Sequence, residues 1–304
     1  MLKSSSNRAY LVPMVLSAAC WGLATVMSKG VLGYIPPMTL LVIQLSISLI
    51  FLWGMVAIHR LRLPFNRRTL RLGLLGVLNP GLAYTFSLLG LTLTTASMST
   101  LLWAAEPILI LGLAWAILRE HVTPPLVALS GVALTGVFLV AGVEVRTGLN
   151  SSLPGNLLTL AGVGCCALYT VLTRREAESF APLPVVALQQ TCAWVWALII
   201  WPIEWLSGDA VSLAAIGSNV WIWAAASGVT YYGLAFWFYI TALKKTSASL
   251  AGLFLNLIPI FGVGGAYLFL NERLTAVQWA GAGMILVAVV SIVRLRNPAT
   301  RVAR

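Results

Sequence analysis

Long apolar stretches alternate with short polar segments along the whole chain. A helix needs about 20 mostly apolar residues to cross a hydrocarbon core of about 30 Å, and ten stretches meet this requirement. They lie at roughly 9–29, 36–58, 69–91, 95–118, 123–142, 155–174, 182–206, 217–243, 247–270 and 275–295. The pattern therefore predicts an all-α integral membrane protein with ten transmembrane helices, which we number spans 1 to 10.

Spans 4 and 9 carry the same features at an offset of 152 positions. Pro107 matches Pro259 near the middle of the span, and Glu120 matches Glu272 at its exit. A proline inside a helix removes one backbone hydrogen bond and collides with the carbonyl four residues earlier, so both spans are predicted to kink. Matching interrupted spans in two halves of a chain point to the binding site of a transporter. The two glutamates are expected to bind free backbone donors ahead of spans 5 and 10.

Other spans are repeated as well. Spans 1 and 2 match spans 6 and 7 at an offset of 145, which places Gln44 over Gln189. The chain therefore divides into two repeats of five spans, residues 1–148 and residues 149–304. Because five is an odd number, the second repeat is expected to be inverted in the membrane, and the two repeats are expected to surround a central cavity.

The basic residues predict the orientation of the chain. Sixteen of the 19 Lys and Arg residues fall on one side of the ten spans, whereas Lys29, Arg146 and Arg273 fall on the other. Lysine and arginine collect on the cytoplasmic side of membrane proteins, so both termini are expected in the cytoplasm. The net charge of +11 therefore belongs to loops beside a lipid bilayer, and we expect no nucleic-acid partner.

Composition and motifs argue against a soluble protein and against an enzyme. Charged residues make up 9% of the chain, whereas soluble domains contain about 25%. The sequence has no glycine-rich phosphate loop and no paired acids for acid/base catalysis. Cys165 and Cys166 are adjacent and point to different sides of a helix, and no His or carboxylate lies near them at ligand spacing. We interpret the cysteines as small packing residues and expect no metal and no cofactor.

Glu106 is the acidic residue nearest to the middle of a span. Thr95, Ser99, Trp103 and Glu106 share one face of span 4 at about 100° per residue. An acid at bilayer depth is costly and faces a cavity or a partner by default, which favours an amine-binding or proton-exchanging carboxylate. The alternative is a protonated glutamate that satisfies a backbone carbonyl near the kink at Pro107.

Aromatic and amide side chains in other spans are further candidates for substrate binding. Aromatic residues near span ends act as interface anchors, but several lie deeper. The full set of substrate-binding candidates is Trp21, Asn79, Tyr84, Ser99, Trp103, Glu106, Tyr169, Tyr231, Trp237 and Asn256. The alternative role of each aromatic residue is to pack against a neighbouring helix. The alternative role of each amide is to form hydrogen bonds across helices.

Four short segments resemble the EamA-like domains of the drug/metabolite transporter superfamily. They are Cys20–Gly22 in span 1, Ala235–Tyr239 in span 8, and the matched ends Leu118–Glu120 and Leu270–Glu272. The resemblance covers nearly the whole chain. It implies a central cavity lined by spans 1–4 and 6–9, peripheral spans 5 and 10, and export of small metabolites. The aromatic-rich cavity spans look most similar to the bacterial amino acid exporters of this superfamily.

These observations predict an exporter in the bacterial inner membrane, with the lipid bilayer and a small-molecule substrate as its partners. Aromatic faces attract ammonium groups, and a carboxylate repels phosphate, so we expect an amino acid with an aromatic or large apolar side chain. Proton exchange of other amine-bearing metabolites or drugs is the alternative. A non-transporting lipid-handling or scaffold protein is an alternative of another class. A monomer is expected, with a dimer as the alternative.

Overall fold

The computed structural model describes residues 9–62, 64, 66–93, 102–103, 105–140, 153–176, 180–206, 216–258, 260–262, 264 and 276–295. Twelve α-helices can be given bounds within these ranges, and the described residues contain no strand. The helices are α1 Leu11–Leu32, α2 Pro37–Ile58, α3 Arg67–Gly76, α4 Ala83–Leu93, α5 Glu106–Leu118, α6 Pro124–Val140, α7 Leu153–Glu176, α8 Pro182–Leu206, α9 Ser218–Gly228, α10 Ala235–Leu243, α11 Ala248–Leu255 and α12 Ala276–Leu295.

Among the described residues, four helices are individually long and apolar enough to cross a membrane: α1, α2, α7 and α8. They coincide with predicted spans 1, 2, 6 and 7. Helices α6 and α12 occupy predicted spans 5 and 10, and their apolar stretches are shorter. Spans 3, 4, 8 and 9 are broken, because each contains a departure from α-helical geometry near its middle. The described residues form helices and no strand, so the prediction of an all-helical protein is confirmed.

Spans 4 and 9, in which kinks are predicted, each contain a short turn between helical segments. In span 4, residues 102–103 are helical, Ala105 lies in a turn, and α5 restarts at Glu106 with Pro107 in its first turn. Proline is well tolerated there because the first turn needs no N–H from it. In span 9, α11 ends at Leu255 and a two-residue turn follows. Pro259 itself lies outside the described residues.

Spans 3 and 8 are not single α-helices, which corrects the sequence prediction. A π-helical segment, Val77–Leu82, joins α3 to α4, and a second, Val229–Leu234, joins α9 to α10. The first contains Pro80 and the extended residue Asn79, with φ −150° and ψ 121°. The second contains no proline, so no residue in the sequence marks it. Single π turns inside α-helices occur frequently at functional sites.

The helices pack in pairs that bring distant parts of the chain together. Helix α2 packs on α8, α5 on α11, and α6 on α12. Helix α7 packs against α3, α4 and α5, while α1 packs against α9 and α10. The middle of the molecule is therefore built from the broken spans together with α1 and α7, and the pair α6–α12 packs beside it.

Two glycines allow helices to cross at backbone contact. A Cβ atom on Gly76 would lie 1.8 Å from the carbonyl oxygen of Gln189, and one on Gly228 would lie 2.8 Å from the carbonyl oxygen of Gln44. These crossings hold α3 on α8 and α9 on α2. The Gln44 amide donates to the Ser227 hydroxyl at 2.7 Å across the second crossing. Both glycines immediately precede a π segment, so the crossings and the breaks lie side by side.

Glu120 binds a different helix from the one expected. Its carboxylate accepts hydrogen bonds from the backbone N–H groups of Ala248 and Ser249 at 2.8 and 3.1 Å and from the Ser249 hydroxyl at 2.6 Å. These donors belong to the first turn of α11 and not to the start of span 5. The reason is the packing of α5 on α11, which brings the exit of one helix beside the entrance of the other. Glu272 lies outside the described residues.

Candidate functional site

Glu106 lies at the start of α5, beside the break in span 4. Its side chain is buried, with 8% of its surface exposed. The carboxyl group interacts electrostatically with the Cys166 thiol of α7. Asn79, from the first π segment, donates from Nδ2 to Cys166 Sγ at 3.1 Å. We call Asn79, Glu106 and Cys166 the polar cluster, and it joins three spans.

The surroundings of Glu106 bear on both interpretations of this residue. Among the described residues its carboxyl group interacts with the Cys166 thiol. No lysine or arginine in the described part of the chain interacts with it. The polar cluster therefore contains an acid without a basic partner, in a place where an uncompensated charge is costly.

Half-buried aromatic rings lie beside the polar cluster. The Tyr84 hydroxyl donates to the Tyr231 hydroxyl at 2.7 Å. The Tyr84 ring lies 5.6 Å from the Tyr231 ring, 5.7 Å from the Tyr232 ring and 6.4 Å from the Trp103 ring, measured between centroids. Tyr231 also interacts electrostatically with Glu106. Ring faces carry negative potential, so this group of rings favours a cation or a flat apolar group.

Trp21 and Tyr169 belong to a second aromatic group. Trp21 packs edge-on against Phe236 and Tyr239, with both centroid distances at 5.2 Å, and Tyr169 lies 6.1 Å from Phe236. Tyr239 interacts electrostatically with Glu106, which connects this group to the polar cluster. The Nε1 donor of Trp21 is buried and has no hydrogen-bond partner among the described residues.

A profile of the EamA-like transporter family matches residues 9–142 and 153–294. The chain belongs to the EamA-like transporter family. The family expected from the sequence motifs is thereby confirmed. In this EamA-like transporter the polar cluster combines both matched segments, because Asn79 and Glu106 come from the first and Cys166 from the second.

Curated relatives of this EamA-like transporter have matching lengths. An uncharacterized transporter of Archaeoglobus fulgidus is 24% identical over 291 residues, covering 94% of this chain and 99% of that protein. The uncharacterized transporter YvbV of Bacillus subtilis is 27% identical over 295 residues, covering 93% and 90% of the two chains. A protein crystal structure with 18% identity matches the fold with a TM-score of 0.78, over 96% of this chain and 99% of that one. The protein is therefore a membrane transporter by family, and the crystal structure shows that its fold is shared.

Two other predicted site residues make contacts outside the polar cluster. Trp237 stacks on its neighbour Phe238 with a centroid distance of 6.0 Å. Asn256 donates from Nδ2 to the Leu253 carbonyl of its own helix at 3.0 Å. The Leu253 carbonyl therefore accepts from both the side chain and the backbone N–H of Asn256 where α11 ends. Ser99 lies outside the described residues.

Sequence reasoning missed Cys166 as part of the site of this EamA-like transporter. It was interpreted as a packing residue, yet it is the group that connects Asn79 to Glu106. A signal was available, because Cys166 shares a helix face with Tyr169 and Thr173. Tyr232 and Tyr239 were also left out, although they stand in span 8 beside Tyr231. Among the described residues no three His, Cys, Asp or Glu side chains come close enough to form a metal site.

Two open grooves in the described part of the chain lie elsewhere. One, of about 460 Å³, is formed by the end of α5 and the segment that follows it, including Trp115, Arg119 and His121. A second, of about 360 Å³, lies beside it along the outer face of α5. Trp115 is 65% exposed, so this face points away from the helices that surround Glu106. We place the candidate site at the polar cluster because polar groups are buried there with unmet hydrogen-bonding capacity.

Proposed function

We propose that this EamA-like transporter exports amino acids with aromatic or large apolar side chains from the bacterial cytoplasm by alternating access. The observation that carries the proposal is the polar cluster, in which Glu106 is buried beside aromatic rings and has no basic partner among the described residues. A substrate ammonium group would supply the missing positive charge. Its side chain would pack on the rings of Tyr84 and Trp103.

The chemistry of the cluster favours an amine over an anionic substrate. An ammonium group gains about 0.5–2 kcal/mol from an aromatic face and more from a carboxylate. A phosphate group needs Arg or Lys at its site, whereas Glu106 would repel it. The unpaired Nε1 donor of Trp21 is available to the carboxylate of an amino acid. Proton exchange at Glu106 is the matching route for energy coupling.

The proposed architecture is ten membrane spans in two inverted repeats, residues 1–148 and 149–304. Its support is that features recur at the same offset in both halves. The two π segments begin at Val77 and Val229, 152 positions apart. The crossings at Gly76 and Gly228 have the same offset. Such a two-fold relation places a substrate site between the repeats, where the polar cluster lies. One chain supplies all three of its groups, so a monomer would be sufficient.

The proposed orientation has both termini in the cytoplasm of a bacterial inner membrane. We expect single cysteines introduced at Arg67 and at Ser151, in a variant without native cysteines, to react with a membrane-impermeant maleimide from opposite sides. Position 67 belongs to the arginine-rich side, and position 151 to the side with three basic residues. Labelling of both positions from the same side would contradict the topology. Total reactivity after detergent treatment is the control.

The substrate proposal predicts flux of labelled phenylalanine or tryptophan into proteoliposomes that contain the purified protein. Flux of a sugar phosphate under the same conditions is expected to equal that of protein-free liposomes, because the cluster offers no cation to the phosphate. Sugar phosphate flux without amino acid flux would reverse the interpretation of the site. No flux of any amine, amino acid or drug would favour a lipid-handling or scaffold role instead.

A further inference from the structure

Asn79 presents a hydrogen-bond acceptor that no described residue of the protein uses. Its side chain is buried, with 4% of its surface exposed, and its Oδ1 atom has no partner among the described residues. Its backbone leaves helical geometry within the first π segment, so its side chain does not follow the path of α3 and α4. Buried polar atoms are nearly always hydrogen-bonded, and an exception at a candidate site points to a missing donor.

The orientation of the Asn79 amide follows from the groups next to it. An ionised carboxylate only accepts hydrogen bonds, and a thiol has one hydrogen to donate. Asn79 donates from Nδ2 to Cys166 Sγ, so the thiol hydrogen of Cys166 can turn toward the Glu106 carboxyl group, with which the thiol interacts electrostatically. This arrangement leaves Oδ1 as the free end of the amide. Cys166 is thereby the neighbour that Asn79 and Glu106 share.

Building on the proposed function, we infer that Asn79 Oδ1 and the Glu106 carboxylate together form a subsite for a primary ammonium group, with Cys166 as the positioning residue. Two acceptors on one side of a ligand require two N–H donors, which a primary ammonium group has and a quaternary one lacks. The hydroxyl groups and rings of Tyr84 and Tyr231 complete the surroundings. The subsite thus selects by the number of N–H groups as well as by charge.

A series of ligands with constant charge tests this subsite. The probes are 2-phenylethylamine and its N,N-dimethyl and N,N,N-trimethyl forms, which carry three, one and no N–H groups as cations. Binding to the purified full-length protein is measured by isothermal titration calorimetry. We expect the primary amine to bind about tenfold or more tightly than the dimethyl form, because only it satisfies both acceptors. Equal affinities for these two probes would overturn the inference.

Variants separate hydrogen bonding from the bulk of the added methyl groups. In Asn79→Leu, which has a similar volume, the primary and dimethyl amines should bind with nearly equal affinity. A steric preference would survive this substitution, and its survival would also refute the subsite. Cys166→Ala should weaken the preference and Cys166→Ser should restore it, since a hydroxyl can donate and accept in the same place. An undiminished preference for the primary amine in Cys166→Ala would show that Cys166 does not position Asn79 or Glu106. If Asn79→Leu does not fold, the comparison of Cys166→Ala with Cys166→Ser decides, since a steric preference would be the same in both.

The same measurements distinguish failure of the subsite from failure of the proposed function. Preference for the primary amine without flux of labelled phenylalanine would leave the subsite in place and remove amino acid export. Flux of phenylalanine with an unchanged ligand series in Asn79→Leu would leave export in place and remove the subsite.

Discussion

Glutamine at position 106 is expected to reduce phenylalanine flux by about 10- to 100-fold, because a hydrogen bond to a charged group contributes about 1.5–3 kcal/mol. Glu106→Gln keeps the size of the side chain and an oxygen that can accept from Cys166, so the fold should be retained. The loss comes from the missing negative charge beside the substrate ammonium group. The measurement is uptake into proteoliposomes with and without a proton gradient, together with the melting temperature of the purified variant.

Glu176→Gln is the matched control for this substitution. Glu176 lies at the end of α7, its side chain is 31% exposed, and it forms an ion pair with Arg68 at 3.4 Å. Exposed pairs of this kind contribute about 0–1 kcal/mol, and the pair lies outside the polar cluster, so flux should stay at the wild-type level. Full transport by Glu106→Gln under both gradient conditions would reduce Glu106 to a structural residue.

Alanine at position 76 is expected to destabilise the protein by about 3 kcal/mol or more, or to prevent it from folding. The added Cβ would lie 1.8 Å from the Gln189 carbonyl oxygen, and both sides of that contact are backbone. No side-chain rotation can relieve the overlap, so α3 and α8 would have to separate. The first π segment and Asn79 follow directly and would move with them. The measurement is the thermal unfolding midpoint of the detergent-purified protein.

Gly112→Ala is the control for the same chemical change in a helix. A Cβ on Gly112 meets nothing within 4 Å. Alanine is favoured over glycine inside helices by about 0.5–1 kcal/mol, so this variant should be as stable as the wild type or slightly more stable. An unchanged unfolding midpoint for Gly76→Ala would mean that the two helices are not held at backbone distance.

Much of the candidate site could be predicted from the sequence, because depth and helix face are local properties. Glu106 stands out as an acid far from any span end, and the prolines at 80 and 107 mark breaks beside Asn79 and Glu106. Tyr84 and Tyr231 were found in the same way, as polar aromatic residues inside spans. For these residues, the helical period and the position within the span are enough to predict that they belong to the site.

The tertiary structure decided which of these groups meet. Asn79 donates a hydrogen bond to Cys166, which lies 87 positions later in the chain. Glu120 caps the start of α11, where Ala248 lies 128 positions later. In a soluble protein, the apolar face of a helix shows which side packs against the core. Lipid is as apolar as a helix interface, so the sequence of a membrane span does not show which face packs against another helix. Neighbours are chosen instead by close backbone approach at small residues such as Gly76, whose partner is not readable from its own segment.

The same reasoning explains Trp237, Asn256 and the second π segment. Trp237 and Asn256 have the residue types of a binding site, but the contacts that packing gives them are with Phe238 and with the helix of Asn256 itself. The segment Val229–Leu234 has no proline, and its wider turn forms where α9 crosses α2 at Gly228. The sequence by itself determined the membrane class, the repeats and the position of the acid within its span. Helix packing alone decided the partners of that acid, since contacts between distant segments depend on the whole assembly of helices and not on any local period.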